Sequence, residues 1–290
     1  MANIRQLDGQ VGPETCVYRD IMVHVDGTTA GRQRVRYAID LAARTGARIA
    51  GLHVTPPVEV PPRFKPSLIA GVADEISSKL ASDARSASAI FQEEAMRRHA
   101  DARWSEMTGD VAKGIRIQAR YSDIVVIGQY EWQGSPEAYP LSVAQSVIFQ
   151  CGRPVLVVPA STQPGVPTRI ALSWDGSRES VRAVHDALPL LRLSRSVQIM
   201  TDVSLSSEDE EDDAEGLSAH LADHGITVES RVLKSRSAKE HELLLQHIEK
   251  DGFDLLVMGG YSRSPWREFI FGGTMQSVLL SSKVPVLVSH

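Results

Sequence analysis

Cysteine is scarce, with Cys16 and Cys151 the two in a chain of 290 residues. Two thiols this far apart make neither a disulfide framework nor a zinc-ligand spacing. A reducing cytoplasm is the expected compartment, with each thiol buried or idle. No apolar run approaches the length of a membrane span, so no membrane association is expected. Met1 to Asp20 is polar and lacks an apolar signal core, and it reads as a loose leader before the first strand. A net charge of −5 gives no strong pull toward nucleic acid. The sequence has no GxxxxGK[ST] loop and no GxSxG elbow, which excludes a Walker NTPase and a hydrolase nucleophile turn. What is present is ordinary for a soluble globular protein: 42% hydrophobic and 23% charged residues. The length allows two domains, each able to bury a core.

The chain repeats itself. Asp123-Ile124-Val125-Val126-Ile127-Gly128 recurs as Asp254-Leu255-Leu256-Val257-Met258-Gly259. In each copy a proline-led apolar run starts 26 residues after the glycine: Pro154 to Val158, and Pro285 to Ser289. Between them Gln145-Ser146-Val147 stands in register with Gln276-Ser277-Val278. The spacing is kept without a gap, so the chain is an internal duplication. The copies differ at one place. The second has Gly272-Gly273-Thr274 where the first has Leu141-Ser142-Val143.

Each half opens on a short apolar run followed by Asp-Gly: Ile21 to Val25 before Asp26, and Ile170 to Trp174 before Asp175. These read as buried strands ending in a turn. Helical spacing follows from Arg34 to Ala43 and from Ser180 to Leu191. Second strands are expected at Arg48 to Val54 and at Ser196 to Val203. Alternating strands and helices imply parallel pairing with right-handed crossovers. The middles diverge. Thr55 to Pro66 carries five prolines, which predicts loop, with a long helix from about Val72 to His99. The acidic run Glu208 to Asp213 predicts a solvated helix start, followed by a strand at Ile226 to Leu233 and a helix at Ala238 to Lys250. The domains are set at 18–160 and 168–290, with a linker of turn-forming residues between them. His24 and His53 are expected to be satisfied strand histidines. The last strand of each half is strongly apolar, so the halves are expected to pair through it as an internal pseudo-dimer.

Ligands of open α/β sheets bind beyond the carboxyl ends of the strands. In the second half that region runs from Gly259 through Ser262, Arg263 and Arg267 to Gly272-Gly273-Thr274, which opens a helix at Met275. Small residues let backbone approach a bound group, and a glycine-rich helix entry suits phosphate. Small residues three apart, nine more residues, then Gly and a small residue, after a Val/Leu/Met-Gly strand, resemble the universal stress protein signature. Val284 to Val288 and the Asp-Gly after the first strand fit as well. The resemblance covers nearly the whole chain as a tandem pair. It implies two open five-stranded α/β sheets of flavodoxin-like order, similar to adenine-nucleotide hydrolases. It also implies ATP or AMP as ligand, with Mg2+ if the ligand is ATP.

Carried over residue by residue, the resemblance places Gly259, Ser262, Gly272 and Gly273 at the phosphate positions, with Thr274 able to supply a hydroxyl. Asp175 falls on the adenosine-contacting aspartate and Val203 on the valine whose backbone meets adenine. Ser262 stands where the family usually has Gly, and Gly273 where it usually has Ser or Thr. The first half keeps Asp26 and Val54 but has Glu131 and Leu141 in the phosphate loop, so it reads as a structural domain in which Asp26 serves a turn. The expected function is a stress-response sensor or regulator binding an adenine nucleotide in its second half. The alternative is an interaction protein of the same fold that binds no nucleotide and recruits an unidentified protein partner. A further homodimer is left open. No nucleophile, base or metal constellation suggests an enzyme, although slow ATP hydrolysis stays open.

Overall fold

The structure is a computed structural model that describes residues 17–58, 66–129, 142–202, 209–233, 240–260 and 273–290, with backbone alone at 66–70, 142, 202, 209–213, 240 and 273–274. The first half runs β1 (Asp20–His24), α1 (Thr29–Thr45), β2 (Arg48–Thr55), α2 (Pro66–Arg97), β3 (Ala102–Thr108), α3 (Val111–Ala119), β4 (Ile124–Gly128), α4 (Ser142–Gln150) and β5 (Val155–Val158). The second repeats it as β6 (Arg169–Ser173), α5 (Arg178–Leu193), β7 (Ser196–Asp202), α6 (Asp209–Asp223), β8 (Val228–Leu233), α7 (Glu240–Asp251), β9 (Leu255–Gly259), α8 (Gly273–Ser281) and β10 (Val286–Ser289). The long helix starts ahead of Val72, at Pro66, a residue suited to a first helical position because its missing N–H is not needed there. The acidic run does open a helix, α6, at Asp209.

All strands join one sheet in the order β3-β2-β1-β4-β5-β10-β9-β6-β7-β8. Pairing is parallel within each half. The halves meet through β5 and β10, which pair antiparallel with Leu156 opposite Leu287. The expected pairing through the last strands is therefore what the sheet contains. Within a half the order is 3-2-1-4-5. That is the dinucleotide-binding order 3-2-1-4-5-6 without its last strand, and it corrects the flavodoxin-like order, 2-1-3-4-5. The reason is that β1 lies between β2 and β4 and not next to β3.

Helices cover both faces. α1, α2, α5 and α6 pack on one face around Phe91, Ile39, Leu156, Leu172 and Leu287. α3, α4, α7 and α8 pack on the other around Met22, Ile115, Val147, Ile248 and Val278. Strand residues alternate between the two cores, as in β4, where Ile124 and Val126 face one and Val125 and Ile127 the other. Burial on both faces is why the repeated strands read as unbroken apolar runs.

The repeated aspartates tie strand starts together. Asp123 Oδ2 accepts the N–H groups of Arg19 (2.6 Å) and Asp20 (3.0 Å). Asp254 accepts those of Thr168 (2.8 Å) and Arg169 (2.8 Å), and the Thr168 hydroxyl at 2.9 Å. Each lies at the amino ends of its own half's strands, and because the halves run antiparallel the two aspartates sit on opposite edges of the sheet.

Candidate functional site

In each half the strand order reverses between the first and fourth strands, and the crevice beyond their carboxyl ends is the expected ligand place. In the second half this is the gap between the ends of β6 and β9. Asp175 follows β6 and is exposed. Its Oδ1 accepts the N–H of Ser177 at 3.1 Å and the Ser177 hydroxyl at 2.6 Å. Ser177 in turn caps α5, its Oγ accepting the N–H of Ser180 at 3.1 Å. Capping satisfies one of the free amides of the helix start and fixes the turn that presents Asp175.

Gly259 ends β9. A Cβ there would come within 2.6 Å of the Ser180 nitrogen and 2.7 Å of the Glu179 carbonyl carbon. The first turn of α5 thus lies directly on the strand end, and only glycine permits it. Gly260 is tight as well, with a Cβ 3.0 Å from Val288 Cγ1. Gly273 opens α8, and Thr274 follows within it. Gly259, Gly273 and Thr274 are therefore on elements of this half, and Asp175 is in the turn between β6 and α5. Val203, Ser262 and Gly272 lie outside the described residues, as do Glu131 and Leu141 of the first half.

Sequence reasoning missed Glu179. Its side chain is 11% exposed and pairs at 2.9 Å with Arg178, itself 82% exposed. A carboxylate in the first turn of a helix suits the dipole, and the backbone and Cβ of this residue are what the Gly259 position packs against.

It also missed Arg34. In the first half Thr28 caps α1 through Gly31 N–H (2.9 Å), as Ser177 caps α5 through Ser180, so the two helices are in register from their caps. Arg34 then matches Ala183. The guanidinium of Arg34, 5% exposed, donates from Nε to the His24 carbonyl (2.7 Å) and from Nη2 to Asp26 Oδ2 (2.7 Å). A Cβ on Gly128 would lie 2.1 Å from Nη1. Asp26 also accepts the N–H (3.2 Å) and the hydroxyl of Thr28. Burial pushes the Asp26 carboxyl up, but Arg34 and these hydrogen bonds outweigh it and hold the group well below the usual carboxylate range. Asp26 is thus a turn residue, as expected, and the partner of an ion pair besides. Both strand histidines fit their environment. His53 is buried, with Nδ1 2.8 Å from the Val25 carbonyl. Burial first, then Arg34, lowers His24 to a pKa of about 3, so it is neutral near pH 7.

Among the described residues no cluster of three or more His, Cys, Asp or Glu could hold a metal. None of their helices is long and apolar enough to cross a membrane. Cys151 is buried and its thiol pKa is raised by that burial.

The doubled α/β sheet with glycine-ended fourth strands defines a class of tandem α/β proteins. The chain belongs to the universal stress protein family, whose model matches residues 17–159 and 168–290. No curated protein matches it. Its fold is similar to that of a universal stress protein from Archaeoglobus fulgidus DSM 4304, at 18% identity and a TM-score of 0.69, over 93% of this chain and 97% of that one. It is also similar to a functionally unknown protein from Pseudomonas aeruginosa PAO1, at 14% identity and a TM-score of 0.58, over 95% and 93% of the two chains.

Proposed function

We propose that the protein acts in a stress response as a sensor or regulator, by binding an adenine nucleotide, ATP or AMP, in its second half. The observation that carries this reading is the reversal of strand order between β6 and β9, with Asp175 in the turn after β6 and Gly259, at the end of β9, packed against the start of α5. Asp175 is exposed and able to accept a ribose hydroxyl. The start of α8 offers backbone N–H groups and the positive end of its dipole to phosphate. Ser262, Gly272 and Thr274 would line the phosphates and Val203 the base, by the family resemblance. With ATP, Mg2+ would offset charge on the phosphates.

Two departures from the family pattern, Ser262 in place of Gly and Gly273 in place of Ser or Thr, favour a second reading. On this reading the half is a binding module for a protein partner. The deciding experiment is mass spectrometry of small molecules released from the purified, denatured protein, followed by calorimetry with ATP and AMP. One adenine nucleotide per chain is expected. No binding overturns the first reading, and two equivalent sites overturn its restriction to the second half.

A further inference from the structure

Arg34 lies at the reversal point of the first half. Its guanidinium touches the end of β1 at the His24 carbonyl, the turn after it at Asp26, and the end of β4 at Gly128. Those are the places from which an open α/β sheet holds a ligand. We infer that Arg34 is a built-in occupant of the first half's ligand crevice, and that the exchange of Arg34 for Ala183 decides which half is open to an adenine nucleoside. The choice of nucleoside rests on the reading of the second half given above. The occupancy of the first crevice by Arg34 does not.

Two glycines make room for this pair. A Cβ on Gly31 would lie 2.2 Å from Asp26 Oδ1, and one on Gly128 would lie 2.1 Å from Arg34 Nη1. The pair is permanent at physiological pH, because arginine does not lose its proton and Asp26 is held ionised. An incoming ribose hydroxyl would have to displace a charge-assisted bond of 2.7 Å from Asp26. That displacement would leave the guanidinium, 5% exposed, without its carboxylate. The competition therefore favours the arginine, before the altered phosphate loop is considered.

The second half has alanine at the matching helix position. Ala183 is buried and too short to reach Asp175. There the first turn of α5 packs on the end of β9, where a Cβ on Gly259 would come within 2.6 Å of the Ser180 nitrogen. Alanine at this helix position is thus already compatible with the architecture.

The test uses the full chain and adenosine, which needs no phosphate-binding groups. Adenosine stoichiometry is measured by equilibrium dialysis for the parent, Arg34→Ala and Arg34→Gln. The glutamine variant keeps a donor for the His24 carbonyl and guards against loss of the fold. Both variants are expected to bind one more adenosine per chain than the parent. An unchanged stoichiometry in a variant with parental circular dichroism overturns the inference. A parent that binds none while a variant binds one supports it and overturns the second-half reading. A parent and variants that each bind one do the reverse. Hydrogen exchange of the parent with saturating AMP gives an arm independent of the variants. Protection of α5 without α1 is expected, and protection of the β1–α1 amides overturns the inference.

Discussion

Gln129, one residue past β4, donates its side-chain amide to the Leu279 carbonyl at the far end of α8, 2.9 Å away and in the other half of the chain. The same amide donates to the Ser282 carbonyl at 2.9 Å. The last carbonyls of a helix have no partner within it, so this residue caps α8 across the seam. The pseudo-twofold does not reproduce the contact, because Gly260 holds the matching position. Gln129→Ala is expected to lower stability by about 1–3 kcal/mol by leaving two carbonyls unsatisfied. Urea unfolding followed by fluorescence and circular dichroism checks this. A midpoint within error of the parent would show that water replaces the cap without cost.

Acid sensitivity should arise at the end of β1. The folded-state pKa of His24 is about 3, below the unfolded value of about 6.5. Between those values the unfolded chain binds a proton that the folded chain does not, so stability falls as pH drops through the window. Asp26 acts in the same direction at lower pH. Its contribution is complete above the unfolded carboxylate value and is lost as pH falls toward its depressed folded one. His24→Gln is expected to flatten the decline in denaturation midpoint between about pH 6 and pH 4 relative to the parent. Parallel curves for the two proteins would assign the decline to other groups.

A second buried charge cluster joins α1 to α2. Glu94, with a side chain 1% exposed, contacts Arg32 at 2.8 Å, Arg36 at 3.0 Å and Arg98 at 2.9 Å. Its burial pushes the carboxyl up, yet the three arginines leave it below its ordinary value. Removing one member of a buried pair leaves unpaired charge, which typically costs about 3–5 kcal/mol. The arginines are roughly 30% exposed and can rehydrate, so Glu94→Leu is expected near the lower end of that range. Thermal melting measures it. A variant as stable as the parent would mean that packing offsets the lost charge.

What the sequence made legible follows from burial. Val125, Val126, Leu256 and Val257 sit in strands covered on both faces, so their runs of apolar residues stand out and their repetition exposes the duplication. The apolar last strands likewise foretold the seam at Leu156 and Leu287. Strand order was not legible, because no local pattern records which strand β1 lies beside. Arg34 was missed for a related reason. An arginine beside an apolar stripe reads as solvent-facing, and only the fold shows that Asp26 and Gly128 converge on it. Comparing the helices residue by residue, arginine against Ala183, was the available signal. Glu179 was equally hidden, since an acid in a first helical turn is ordinary.

Gly272→Leu tests the phosphate loop itself. Leucine already stands at the matching position, Leu141, in the first half, so the architecture accepts it there. In the second half its side chain would obstruct the close backbone approach that phosphate needs. Each charge-assisted phosphate contact is worth roughly 1.5–3 kcal/mol, so losing several should take ATP and AMP affinity beyond detection by calorimetry. Circular dichroism and thermal melting must accompany the measurement, because leucine in a strained loop conformation would also lower stability. A folded variant that binds either nucleotide as well as the parent would remove Gly272 from the site. The protein-partner reading would then lead.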